Sequence, residues 1–244
     1  MVSFANINEV EGRYGAIYVD PPWKFECRSD KGRGRSADTH YECMRFEDLV
    51  KLPVADLAAR DCALFLWVTD PMLPKGMELI RAWGFEYKTV AFNWVKLNKQ
   101  AKSDTAYFMG GGYWTRANPE LCLLATRGRP KRLSCSVRRL VVDRLREFSR
   151  KPDVVRDRIE QLVAGPYLEL FARETKKGWA GWGNQVGLFD QGPVKTRKWP
   201  CSSRLTQMSP LVEGVRPGAV DNGITLATAT ALGTSGSAAT PAIP

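Results

Sequence analysis

The 244-residue chain has a single histidine, His40, and none of its six cysteines forms a Cys-x-x-Cys pair. Structural zinc sites draw on closely paired thiols and imidazoles, so no metal is expected. The thiols read as reduced, and the chain as cytoplasmic. Long apolar runs are missing as well. The most continuous, such as 63–68 (ALFLWV), fall far short of the roughly 18–20 residues that span a bilayer, and no membrane role is expected. Residues 1–6 (MVSFAN) carry neither the basic start nor the apolar core of a secretory signal. Acidic residues are in deficit: 26 Asp and Glu face 36 Lys and Arg, a net charge of +10. That balance favours polyanionic partners and says nothing of the fold. With 25% charged and 44% hydrophobic residues, the chain is neither wholly disordered nor fibrous.

Composition divides the chain in two. Residues 1–190 mix apolar runs with charge, and 191–244 lose that pattern. In 221–244, 18 of 24 residues are Ala, Thr, Gly, Ser or Pro and only Asp221 is charged. Such a segment buries too little to offset the entropy of ordering it, so 191–244 is expected to be a flexible tail on a 1–190 domain. Within the domain, strands are expected at 16–20, 63–68, 87–96, 120–126, 137–142 and 167–173. Helices are expected at 46–59, interrupted by Pro53, at 74–83, stopped by Gly84, and at 153–164, stopped by Gly165-Pro166. Apolar strands alternating with helices predict an α/β fold, a largely parallel sheet with helices on both faces.

In open α/β sheets, ligands sit at the carboxyl ends of strands. One such end reads Asp20-Pro21-Pro22-Trp23. Two prolines fix φ near −65° and remove two N–H donors. A carboxylate and rigidly aimed carbonyls remain, all acceptors, followed by an indole. This set suits an exocyclic amine on a nucleobase, whose lone pair is delocalised into the ring. Binding both amine hydrogens, by the Asp20 carboxylate and the Pro21 carbonyl, draws the nitrogen toward tetrahedral geometry and releases the lone pair for attack on an activated methyl group. Trp23 would stack on the base. A base reaches such a site only when flipped or single-stranded. The same tetrapeptide also serves as plain turn punctuation after a strand.

In this respect the chain resembles the MT-A70 family (methyltransferase A, seventy-kilodalton-subunit type) of S-adenosylmethionine-dependent adenine-N6 methyltransferases. The blocks are IYVDPPW at 17–23, LFLWVTD at 64–70, FNWVK at 92–96, NPELCLLATRG at 118–128, SRKPD at 149–153, YLELFAR at 167–173 and GWAGWGNQ at 178–185. The last looks more like the bacterial and phage branch than the eukaryotic messenger-RNA enzymes. The resemblance implies a Rossmann-like methyltransferase with permuted motif order, the catalytic motif preceding most cofactor-binding segments. The early G-x-G-x-x-G that Rossmann folds often carry is indeed missing here.

The resemblance places Asp20, Pro21, Pro22 and Trp23 at the amine, with Asp20 also near the methionine part of S-adenosylmethionine. It places Lys151 at the cofactor carboxylate, Glu169 and Arg173 near the cofactor ribose, and Asn184 and Gln185 at its ribose or adenine. Tyr41, Lys96 and Glu120 would line the acceptor-base pocket. The chain departs from the family pattern at Phe148, where histidine is usual, and at Val154, where glutamate commonly follows Pro-Asp.

Charge is concentrated as well. From Arg127 to Arg158 twelve basic residues face four acids, a net +8, and the loop after Trp23 adds a net +3 over 24–35. Both stretches flank the pocket in sequence and are expected to meet phosphates. DNA is the expected substrate. RNA, another exocyclic amine such as that of cytosine, and a non-catalytic nucleic-acid-binding subunit are the alternatives. A homo- or heterodimer is compatible with the sequence.

Overall fold

The computed structural model describes residues 6–24 and 43–190. Tyr41, most of the basic loop after Trp23 and the segment 191–244 lie outside the described residues. Seven strands form one sheet: β1 (Tyr14–Val19), β2 (Ala58–Val68), β3 (Glu86–Leu97), β4 (Glu120–Arg127), β5 (Leu140–Arg144), β6 (Tyr167–Leu170) and β7 (Trp179–Trp182). Their order is β5-β3-β4-β2-β1-β6-β7. Strand β4 runs antiparallel to both its neighbours, and every other pairing is parallel. This is the mostly parallel, Rossmann-like sheet expected.

Strand β1 lies between two parallel partners and has a packed core on each face, so its apolar run needs no alternation. One face packs Ile17, Val19, Leu64 and Leu66 against α1 (Phe46–Val50), α2 (Val54–Leu57) and α3 (Leu73–Ala82). The other packs Tyr18, Phe65, Trp67 and Phe92 against α4 (Val154–Leu162). Helix α3 starts with a proline in its first turn and ends at Gly84, whose φ of +76° admits a Schellman close: the Phe85 N–H reaches the Ile80 carbonyl and the Gly84 N–H reaches that of Arg81, both at 3.0 Å. Gly76 lets α3 lie close on β2, since a Cβ there would stand 2.5 Å from Val68 Cγ1.

Several elements differ from expectation. Strand β2 begins at Ala58, inside the helix expected over 46–59, and β5 spans Leu140–Arg144 against an expected 137–142. Strand β6 stops at Leu170 instead of Arg173, because Phe171 takes a left-handed φ of +62° and breaks the alternation. Helix α4 ends at Leu162, with Val163 already extended at φ −142° and bridged to Arg132. Strand β7 is an addition to the expected set. It forms from the Gly-Trp repeat, with Trp179 stacked on Tyr167 at 4.9 Å. Among the described residues no helix is long and apolar enough to cross a membrane. Nor does any group of three or more His, Cys, Asp or Glu there have the placement to hold a metal.

The topology sets the site. The six parallel strands all end at one edge of the sheet, and antiparallel β4 begins there. Asp20, Lys96 and Arg173, from the ends of β1, β3 and β6, therefore share an edge with Glu120, the first residue of β4.

Candidate active site

Strand β1 delivers Asp20 to that edge, and the turn beyond it is held by backbone bonds around the two prolines. The Trp23 N–H donates to the Pro21 carbonyl at 2.8 Å, the Met44 N–H to the Pro22 carbonyl at 2.9 Å, and the Lys24 N–H to the Met44 carbonyl at 3.3 Å. Pro21 and Pro22 are buried. Trp23 corrects the expectation placed on it. The residue is 6% exposed and its indole N–H donates to the Trp67 carbonyl at 3.2 Å. The indole anchors the turn in the core and offers no open face for a base to stack on.

Asp20 begins a chain of alternating charge. Its Oδ2 accepts from Lys151 Nζ at 2.8 Å, Lys151 Nζ lies 3.0 Å from Glu120 Oε1, and Glu120 Oε2 lies 2.9 Å from Lys96 Nζ. Lys151 also donates to the Ser149 carbonyl and hydroxyl at 3.3 and 3.2 Å, and its ammonium lies 5.5 Å from the centre of the Trp67 ring. The Lys151 side chain is only 6% exposed. Burial raises the Asp20 carboxyl above the usual carboxylate range, against the pull of Lys151 and with the repulsion of Glu120. Burial works the same way on Glu120, but Lys151 and Lys96 overcome it and hold that carboxyl below its ordinary value. Lys96 and Glu120 thus do converge on Asp20. Lys151 joins them, drawn by two buried acids, while the partly positive N-terminus of α4 offers its ammonium no competing attraction.

Beyond Lys151 lies a cleft of about 380 Å³, open solvent included. Asp20, Arg150, Lys151, Glu169, Arg173 and Phe189 are among the residues that line it. Glu169 accepts from Arg156 Nη1 at 3.1 Å, and Arg156 Nη2 reaches Asp153 at 3.2 Å and also Glu174. Arg150 bridges Glu174 at 2.6 Å and Glu147 at 3.1 Å, and its guanidinium lies 4.8 Å from the Phe189 ring centre. Arg173 donates to the Phe148 carbonyl at 2.6 Å and stacks over the same Phe189 ring at 4.5 Å. Glu169 and Arg173 therefore share the cleft but do not pair. The break at Phe171 separates them. Asn184 and Gln185, half-buried, follow β7 at the same edge. Arg150, Arg156, Glu174 and Phe189 are site residues that sequence reasoning misses. Arg150 lies inside the SRKPD block and Glu174 directly follows YLELFAR, so proximity to those blocks is the available signal.

The cleft carries carboxylates, guanidinium groups and an aromatic ring side by side, and the Nε of Arg150 is buried there without a hydrogen-bond partner among the described residues. That donor set fits a ligand with an amino-acid end, hydroxyls and a flat ring. Burial lifts the Glu169 carboxyl to about 7, against the pull of Arg156. A folded-state value above the unfolded one stabilises the fold fully below the unfolded carboxylate range, and that contribution is lost as pH rises through about 7. Glu169→Gln removes this slope. The variant is expected to gain on the wild type between pH 5 and 8 by on the order of 1–3 kcal/mol in urea denaturation. Parallel pH profiles for the two proteins would contradict this.

The basic stretch divides in space. Arg129, Lys131, Arg132, Arg138 and Arg139 lie between the end of β4 and the start of β5, at the amino edge, away from Asp20. Arg146, Arg150, Lys151 and Arg156 do reach the carboxyl edge, but each is engaged in ion pairs. Sequence proximity to the pocket overstates how much of this charge faces it.

A Rossmann-like sheet, with an acceptor-rich turn after β1 and a mixed-charge cleft beside it, fits a methyltransferase. Similarity to known proteins agrees. The MT-A70 family model matches residues 14–185, and the chain belongs to that family. It is 31% identical over 209 residues to the type II methyltransferase M.MunI of a Mycoplasma species, covering 76% of this chain and 85% of that protein. It is 31% identical over 191 residues to a putative N(6)-adenosine-methyltransferase MT-A70-like protein of Medicago truncatula, covering 75% of this chain and 29% of that one. To the human N(6)-adenosine-methyltransferase catalytic subunit METTL3 it is 29% identical over 182 residues, covering 72% and 28%. The chain thus spans most of the Mycoplasma relative and under a third of the other two.

Proposed function

We propose that the chain transfers a methyl group from S-adenosylmethionine to the exocyclic N6 amine of adenine in DNA. The observation that carries this reading is Asp20 at the carboxyl end of β1, with its Oδ2 gripped by Lys151 and two buried prolines behind it. In the reading, the second Asp20 oxygen and the lone pair that Trp23 leaves on the Pro21 carbonyl accept the two amine hydrogens. The donor, when bound, supplies a methyl group on a sulfonium sulfur. As the N–C bond forms the S–C bond breaks, and the nitrogen, now positively charged, loses a proton to Asp20 or water. Asp20 need not be a strong base, because the amine becomes acidic only once methylated.

Glu169, whose carboxylate suits ribose hydroxyls, and Arg173, Asn184 and Gln185 would hold the donor. Lys96, Glu120 and Tyr41 would line the base pocket. The sequence match along most of a type II methyltransferase supports DNA, and the relatives named for N(6)-adenosine support adenine. Adenine in RNA is the second reading, favoured by the human and plant relatives. A purely structural subunit would have no need of the Asp20 acceptor geometry. The proposal assigns catalysis to residues 1–190 and none to 191–244. It places the protein in the cytoplasm.

The test is transfer of label from tritiated S-adenosylmethionine to DNA and RNA, single- and double-stranded, followed by nucleoside analysis. N6-methyldeoxyadenosine is the expected product. Label found only in RNA selects the second reading, and label in cytosine overturns both.

A further inference from the structure

The connection 98–119 rises from the edge that carries Asp20 and is built firmly at its base. Asn118 accepts from the Lys96 N–H at 3.0 Å and donates to the Lys96 and Phe108 carbonyls at 2.8 and 2.5 Å. The Phe108 N–H donates to the Lys96 carbonyl at 2.8 Å, and Leu97 bridges Tyr107. Lys96 is also the last cation of the chain that begins at Asp20. The tip is closed by the Gly110 N–H on the Ala117 carbonyl at 2.8 Å and the Thr115 N–H on the Tyr113 carbonyl at 2.9 Å. Only glycine fits at 112, where a Cβ would collide with the Thr115 carbonyl oxygen.

What this frame holds outward is apolar and flat. Trp114 is 93% exposed and Tyr113 73% exposed, their rings edge to face at 6.4 Å. Trp114 has a φ of +71°, a left-handed conformation that bulky residues rarely adopt. A strained backbone that displays an indole to water, on a loop closed by its own hydrogen bonds, points to a surface meant to be covered. Charge indicates by what. Lys99, Lys102 and Arg116 are exposed on the same loop against one acid, Asp104. A second copy docking loop to loop would set these cations against themselves. Cores of protein interfaces are depleted of charge, whereas unpaired nucleic acid offers a ring face and a phosphate at every step.

We propose that this loop is a stacking platform for an unpaired nucleic-acid strand beside the target base, with Trp114 and Tyr113 supplying ring faces and Lys99, Lys102 and Arg116 meeting phosphates. The inference rests on the methyltransferase reading above and names the part of the molecule that holds the strand while the base is in the site. It also supplies the open aromatic face that the buried Trp23 does not.

The test is anisotropy of a labelled single-stranded oligodeoxynucleotide at several salt concentrations, with the full chain. Trp114→Ala is expected to raise Kd about 5- to 100-fold and Trp114→Phe to recover most of the loss, as base–aromatic stacking predicts. Replacing Lys99, Lys102 and Arg116 together by glutamine is expected to flatten the slope of log K against log salt by about 2. Donor affinity, measured by calorimetry, should not change in any of these variants. An unchanged Kd in Trp114→Ala, with the wild type active on nucleic acid, overturns the platform. So does sedimentation showing that Trp114→Ala only splits a dimer. A wild type that neither binds nor methylates any nucleic acid sinks the functional reading and the platform with it, and the product assay tells that failure from the first.

Discussion

Replacing Asp20 by alanine is expected to slow methyl transfer by about 10²–10³-fold or more, while donor binding stays measurable. The size follows from losing a preorganised electrostatic partner of the reacting nitrogen. The separation follows from geometry. Lys151 keeps Glu120 as a partner at 3.0 Å, so removing Asp20 leaves no buried cation alone. The cleft residues Glu169, Arg156 and Glu174 hold one another independently of Asp20. A single-turnover rate and a donor Kd by calorimetry separate the two effects. Asp20→Asn keeps an acceptor oxygen but loses the charge, and is expected to fall between wild type and Asp20→Ala. If Asp20→Ala turned over normally, the amine would have to be activated elsewhere and the assignment of the DPPW turn would be wrong.

The parts of the fold legible in sequence are those in which one local signal suffices. The apolar run of β1, the prolines behind it, and the Met77–Ile80 spacing stopped by Gly84 each report on a few neighbouring residues. Asp20 and Lys96 are legible as the ends of strands, where ligands sit, whereas Glu120, 100 residues from Asp20 and at the start of its strand, is legible only through resemblance. Three differences between sequence and structure have a common physical origin. Strand β6 is shorter than its apolar string because the turn at Phe171 is a backbone conformation, which such a string does not encode. Trp23 is closed to a base because its burial depends on the Trp67 carbonyl, 44 residues away. The stretch 127–158 is not one basic track because β4 runs backward and carries its far end to the opposite edge, which a linear count does not register. The aromatic tip at 113–114 is inconspicuous in a glycine-rich loop, and only its exposure and the φ of Trp114 set it apart.

Lys151 yields the most decisive stability experiment, because the two roles open to it predict different results. It is the buried cation between two acids, Asp20 at 2.8 Å and Glu120 at 3.0 Å. Lys151→Ala leaves both acids buried, with Lys96 beside Glu120 and the weaker pull of Arg173 on Asp20 to compensate them. Removing one partner from a buried ion pair typically costs about 3–5 kcal/mol. The variant is therefore expected to lose on the order of 3 kcal/mol at pH 8 in urea denaturation. The loss should shrink on acidification. Without Lys151 the folded-state carboxyls of Asp20 and Glu120 take up protons more readily than in the unfolded chain. Their contribution is then fully present below the unfolded carboxylate range and disappears as pH rises through their raised folded-state values. Transfer should fall along with stability, since two acids sharing a proton no longer present the Asp20 carboxylate to an amine. Lys151→Arg keeps the charge and should recover much of the stability but little of the rate, because a planar fork cannot reproduce three bonds radiating from one ammonium. If Lys151 serves only a cofactor carboxylate, the pattern differs: donor Kd rises in Lys151→Ala while the stability and its pH slope match the wild type. That result would return Lys151 to the cofactor and leave Asp20 positioned by the β1 turn alone.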